Sequence, residues 1–100
     1  MIHLQANAFV NLLSNDSRAV IYTGMTTHLR ERMIQHRDRR GSIFASKYRC
    51  RYLMYVESYD RIKYAIYREK QLKEWNRAWK EELIASINPE WEDLYPRLFG

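Results

Sequence analysis

Residues 10–26, "VNLLSNDSRAVIYTGMT", hold two strand-like runs on either side of a cluster of turn formers, Ser14-Asn15-Asp16-Ser17. The run from Ala8 to Leu13 has the apolar content of a strand, and Ala19 to Thr23 resumes with β-branched and aromatic residues. Together they predict an antiparallel hairpin with a loop slightly longer than the tightest type. The second strand closes on Tyr22-Thr23-Gly24, an aromatic hydroxyl beside a glycine, immediately ahead of a helix. Packing alone accounts for an aromatic strand residue; a functional reading aims Tyr22 at a ligand.

Working outward, Thr26 and Thr27 are good N-caps, and Leu29, Met33 and His36 fall at i, i+4 and i+7. That spacing predicts a helix from about Thr27 to Asp38, ended by Arg39-Arg40-Gly41-Ser42. The segment from there to about Arg49 has no sustained period and reads as a basic loop. Arg51 to Glu57 reads as a third strand, with Tyr52, Met54 and Val56 on one face and Leu53 and Tyr55 on the other. Asp60 is placed to cap a helix with an Ile62/Ala65/Ile66/Leu72 stripe. Asn76 is placed to cap another that buries Trp79, Leu83, Ile84 and Ile87, and Asn88-Pro89 stops it. The order β-β-α-β-α-α gives an α+β class in which a small antiparallel sheet is covered by helices, in one domain over residues 1–100.

A chain of 100 residues suffices for one modest core. The lone Cys50 cannot form an internal disulfide, and neither a Cys-x-x-Cys pair nor a secretory apolar region is present, so a cytoplasmic protein is expected. No apolar run approaches the length needed to cross a bilayer. Between Arg30 and Arg51 lie eight cations and two anions, more than the whole net charge of +5. Such a patch is the footprint of a polyanion, nucleic acid first and anionic lipid second, against the plainer reading of a solvated basic face.

Three sets of residues carry candidate chemistry. Glu69 falls in the Ile62/Ala65/Ile66/Leu72 stripe, so its carboxylate points toward the core edge. There it must be neutralised, bound to a metal or paired with a cation such as Arg68 or Arg32. Arg32 and His36 share one flank of the first helix at i, i+4 and can meet a phosphate with a bidentate donor and an imidazole. Tyr22 is a phenol whose ionisation a basic surrounding would favour. The sequence has no carboxylate cluster for two metals, no zinc spacing, no phosphate-binding glycine loop and no nucleophile elbow, so an enzyme here must run on a single carboxylate.

Tyr22-Thr23-Gly24, Arg32, His36, Glu69 and Asn88 occur in an order and spacing that resemble the GIY-YIG nuclease superfamily. "YTGMTTHLRERMIQHR", "YAIYREKQLKEWNRAWK" and "NPEWEDL" are similar to its small stand-alone bacterial branch. The resemblance implies a three-stranded antiparallel sheet and a hydrolytic endonuclease cleaving DNA, structure-selective in the manner of repair or recombination enzymes, with RNA as the alternative substrate. It implies a single Mg²⁺ or Mn²⁺ held by Glu69, with Arg32 on the scissile phosphate and Tyr22 orienting or deprotonating the attacking water. His36 and Lys47 would contact phosphate or move a proton, Gly24 and Asn88 would support the site, and Arg30, Arg37, Arg39, Arg40, Lys47 and Arg49 would bind nucleic acid. The first motif departs from the pattern, because Asn11 stands where its tyrosine is expected. An amide cannot become a phenolate, and Tyr48 or Tyr52 would be the neighbouring substitutes. A second reading is therefore a catalytically impaired nucleic-acid-binding protein. A third is a protein partner or weak homodimer formed through Trp75, Trp79 and Trp91.

Overall fold

The computed structural model describes residues 2–37 and 48–100. Strands β1 (Ala8–Ser14) and β2 (Ile21–Thr26) form the hairpin, and β3 (Tyr52–Tyr59) pairs antiparallel with the other side of β1, giving the order β2-β1-β3. Helices α1 (Leu29–Arg37), α2 (Ile62–Glu74), α3 (Arg77–Ile87) and a short α4 (Tyr95–Phe99) complete the described elements. The sequence does not announce α4, which lies beyond Asn88-Pro89. Among the described residues no helix is long and apolar enough to cross a membrane.

All seven residues of the central strand β1 are buried. Phe9 and Leu13 pack with Leu29 and Met33 of α1 and with Cys50, Leu53, Val56 and Leu94. Ala8 and Val10 pack with Ala65 and Leu72 of α2, and Leu12 packs with Met54, Tyr55 and Ile84 of α3. The sheet is thus covered by α1 and the C-terminal segment on one face and by α2 and α3 on the other.

The first two strands and the first helix form where the sequence places them, with shifted ends. β2 runs on to Thr26, and α1 begins at Leu29 with Leu29, Met33 and His36 all buried. Thr26 Oγ1 accepts from the His28 amide at 3.0 Å, so it caps the turn leading into the helix, whereas Thr27 does not open it. The expected basic loop lies almost wholly outside the described residues.

Strict alternation fails in β3. Leu12 pairs with Tyr55 while Leu13 pairs with Leu53, so Met54 is an extra residue with no partner on β1, a β-bulge. Leu53 and Val56 consequently face α1, and Met54 and Tyr55 both reach the α3 side.

The helical stripes are narrower than their apolar spacing suggests. α2 meets the sheet along one line, Ala65 and Leu72 at i and i+7, leaving Ile62 and Ile66 exposed. On α3 only Ile84 is fully buried. Leu83 is half-buried, whereas Trp79 and Ile87 are exposed, and Trp79 packs edge-on against Trp75 at 5.9 Å. Asn76 does cap α3, accepting from the Trp79 amide at 2.9 Å. Asp60 does not cap α2, which starts after Arg61 without a side-chain cap bond.

The bulge is held by Asn88, which is buried at the end of α3. Its Nδ2 donates to the Met54 carbonyl at 3.0 Å and to the Glu92 carbonyl at 2.7 Å, and its Oδ1 accepts from the Glu92 amide at 3.0 Å. Truncating the amide strands buried backbone groups, each costing about 1–3 kcal/mol. Asn88→Ala is expected to lower stability by about 3 kcal/mol, read as a lower urea midpoint at unchanged slope; a loss below ~1 kcal/mol would contradict this role.

Candidate functional site

Gly24 sits on β2 opposite Asn11 of β1, and the ring of Tyr22 lies along the same strand face. A Cβ on Gly24 would lie 3.1 Å from Asn11 Oδ1 and 3.2 Å from Tyr22 Cε2. Glycine thus fits the close approach of two side chains, and any larger residue would make both give by a few tenths of an ångström. Asn11 itself is 2% exposed, so its amide is packed into the sheet and not presented to solvent.

From α1, His36 brings its ring to 5.9 Å from the Tyr22 ring at a tilt of 54°. His36 is buried, and its Nδ1 has no hydrogen-bond partner. Burial first, and the Arg32 guanidinium second, push its pKa down to about 4, so the imidazole is neutral at physiological pH. The expected phosphate-contacting histidine is thus a buried, uncharged neighbour of Tyr22. Arg32 is half-buried one turn earlier and lines a recess of about 400 Å³ with Met25, Thr26, Thr27, His28, Glu31 and Gln35.

On the opposite face, Glu69 of α2 has a side chain 22% exposed and takes its ion pair from Lys73, at 3.5 Å. Neither Arg68 nor Arg32 is its partner. Arg68 instead makes a two-pronged contact with Glu57 of β3, at 2.9 Å from Nε to Oε1 and 2.9 Å from Nη2 to Oε2. The hydroxyls of Tyr55 and Tyr59 also donate to Glu57, at 2.5 and 2.6 Å. Burial alone would raise the Glu57 carboxyl, but these donors outweigh it and hold the group below the usual range. Burial and Glu57 push the Tyr59 phenol up to about 12. Sequence reasoning missed this cluster, because only the bulge turns Glu57 toward α2.

The two faces meet at the outer edge of β2. There Ile21, Tyr22 and Thr23 line a recess of about 320 Å³ with Lys73 of α2 and Lys80 of α3. His36 thus packs against Tyr22, Tyr22 shares the recess with Lys73, and Lys73 pairs with Glu69. Sequence reasoning also missed both lysines, although Lys73 lies four residues after Glu69 and Lys80 four before the buried Ile84.

No cluster of three His, Cys, Asp or Glu side chains able to hold a metal exists among the described residues. That excludes a closed cage built from them, but a single half-buried carboxylate with one long ion pair fits a hard cation such as Mg²⁺. Mg²⁺ binds through one or two carboxylates and takes its other ligands from water and substrate phosphate.

The remaining candidates are dispersed. Arg30 and Arg49 are exposed, whereas Arg37 is committed to an ion pair with Asp93 and lies over the Tyr95 ring at 4.3 Å. Asp93 in turn accepts from the Leu53 amide at 3.0 Å, so Arg37 fastens α1 to the C-terminal segment. Arg39, Arg40 and Lys47 lie outside the described residues. Tyr48 is exposed. The Tyr52 ring lies beneath Arg18 and Arg51, packed on the α3 side, and so does not stand in for a tyrosine at position 11. Asn88 braces the bulge.

His36 makes stability depend on pH. Its folded pKa lies below the ordinary 6.5, so the unfolded chain binds the extra proton as pH falls from about 6.5 toward 4, and stability is lost over that window. Moving from pH 7 to pH 5 should cost on the order of 2 kcal/mol through this group. Urea unfolding of the protein and of His36→Phe should differ in pH slope across that interval; identical slopes would refute the assignment.

No curated protein and no solved structure matches the chain. The family model described as the GIY-YIG catalytic domain matches residues 7–82, a span that takes in Asn11, Tyr22, Gly24, Arg32, His36, Glu69, Lys73 and Lys80. With the three-stranded antiparallel sheet and its helices arranged as described, that match places the chain in the GIY-YIG superfamily, whose domain is of the nucleic-acid-cleaving, nuclease type.

Proposed function

We propose that this protein is a metal-dependent endonuclease that hydrolyses phosphodiester bonds in DNA at the β2 edge, with a preference set by DNA structure. The observation that carries the reading is Glu69, a half-buried carboxylate with one long contact to Lys73, which in turn lines the β2-edge recess with Tyr22. Glu69 would hold a divalent cation there, which would supply Lewis-acid stabilisation of the leaving oxygen and of the phosphate charge.

The chain's own residues do the rest. Arg32 offers two parallel donors to the non-bridging oxygens of the scissile phosphate and stabilises the charge that builds on them. The Tyr22 hydroxyl accepts a hydrogen bond from the attacking water and aligns it with phosphorus. As the water oxygen bonds to phosphorus the bond to the leaving oxygen breaks; the water's proton passes to solvent, and the leaving oxygen takes a proton back from it. His36, neutral and buried, fixes the Tyr22 ring. Phosphate contacts carry no base information, which favours recognition by DNA shape.

The alternative, a nucleic-acid-binding protein that does not cleave, draws on the burial of Asn11, which presents no hydroxyl at the first motif. A nicking assay on duplex, flap and branched DNA with and without Mg²⁺ separates the two. The nuclease reading expects Mg²⁺-dependent nicking that Glu69→Ala abolishes and that Arg32→Ala slows by about 10²–10³-fold. Wild type and Glu69→Ala at one common background, with salt-sensitive binding intact in both, would establish the binding protein instead. A faster Asn11→Tyr variant would locate the deficit at that one group.

A further inference from the structure

Two cations converge on the β2 edge with no role assigned to them, beside Thr23, which is 5% exposed. Lys80 lies on α3 one turn before the buried Ile84, on the covered side of the helix, and lines the recess with Tyr22 and Thr23. It is half-buried and has no carboxylate partner among the described residues. Burial lowers its pKa from the ordinary lysine value, the mark of an ammonium short of solvation. Lys73, from the other helix, completes the recess, sharing its charge with Glu69 over a long 3.5 Å contact.

Other cations nearby behave differently. Arg68 is spent on Glu57, and Arg77 on Glu81 and on the hairpin carbonyls of Arg18 and Ala19. Lys63, at the far end of α2, stands in solvent 5.2 Å from the Tyr64 ring. At the recess, by contrast, lysines from two separate helices line one small volume beside Tyr22.

We propose that Lys80 and Lys73 bind a backbone phosphate neighbouring the scissile one and so position the strand across Tyr22. The inference rests on the nuclease reading. It makes Lys80 a positioning residue, acting on where the substrate lies and not on the reacting atoms.

The test uses a short fluorescent DNA duplex without metal, titrated at several salt concentrations, followed by nicking with Mg²⁺. Lys80→Met keeps the apolar stem and removes the charge; Lys80→Arg restores the charge; Lys63→Met controls for net charge. Lys80→Met should weaken binding and make the dependence of log K on log salt shallower by about one, while Lys80→Arg and Lys63→Met keep the wild-type slope. In nicking, Lys80→Met should raise KM and leave kcat unchanged. Thermal melts of the variants matching wild type exclude a folding defect as the cause. Wild-type binding and nicking with an unaltered slope and KM in Lys80→Met would overturn this inference alone, as would equal flattening by Lys63→Met. A loss of kcat at unchanged KM would overturn the positioning role. A wild type that neither binds nor nicks would overturn the nuclease reading and the inference together.

Discussion

The Met54 carbonyl has to find a donor, and much of the architecture follows from the one it finds. A bulged strand leaves its extra residue outside the ladder, and in a buried edge that omission must be made good elsewhere. Asn88 does so while also receiving the chain after α3, bonding both backbone polar groups of Glu92. The segment that follows covers the rim of β3, where Leu94 donates to the Leu53 carbonyl and Asp93 takes the Leu53 amide and the Arg37 guanidinium. One side chain thereby connects the sheet, the last long helix and, through Asp93, the end of α1.

Cations in this protein divide by whether an acid answers them. Arg37, Arg51, Arg68, Arg77 and Arg97 each have a carboxylate, and their charge is consumed in holding elements together. Arg32 and Lys80 are among the described cations that have none, and both lie beside β2, one on each face of the sheet. A basic sequence is therefore a poor map of a basic binding surface. Arg37 is the clearest case: its place in the run of arginines suggests a polyanion, and its surroundings make it a structural pin.

The sequence disclosed the sheet and its helices well, because hairpin chemistry, the Leu29/Met33/His36 spacing and the Asn76 cap are local signals. It failed where the cause is not local. Nothing in "RYLMYVE" marks the bulge, since it arises from pairing with β1, and the expected faces of β3 hold through Met54 and reverse from Tyr55 onward. The stripes on α2 and α3 were drawn too wide because apolar spacing tells which residues can face a sheet, not how much sheet there is to face. Of the candidate residues, Tyr22 and His36 are singled out by the sequence and do lie ring against ring. The neutrality of His36 and the arrival of Lys80 are not legible there, because both depend on neighbours distant in sequence.

Gly24 has a further meaning for how this hairpin can change over time. Because a methyl group there would press on both Asn11 and Tyr22, positions 11, 22 and 24 are not free to vary independently. A larger group at position 11 is admissible only while 24 stays glycine, and any side chain at 24 first requires smaller or displaced groups at 11 and 22. The order in which substitutions are tried then matters as much as their identity. A tyrosine in place of Asn11 has room beside position 24 only while that position keeps a hydrogen atom in place of a side chain.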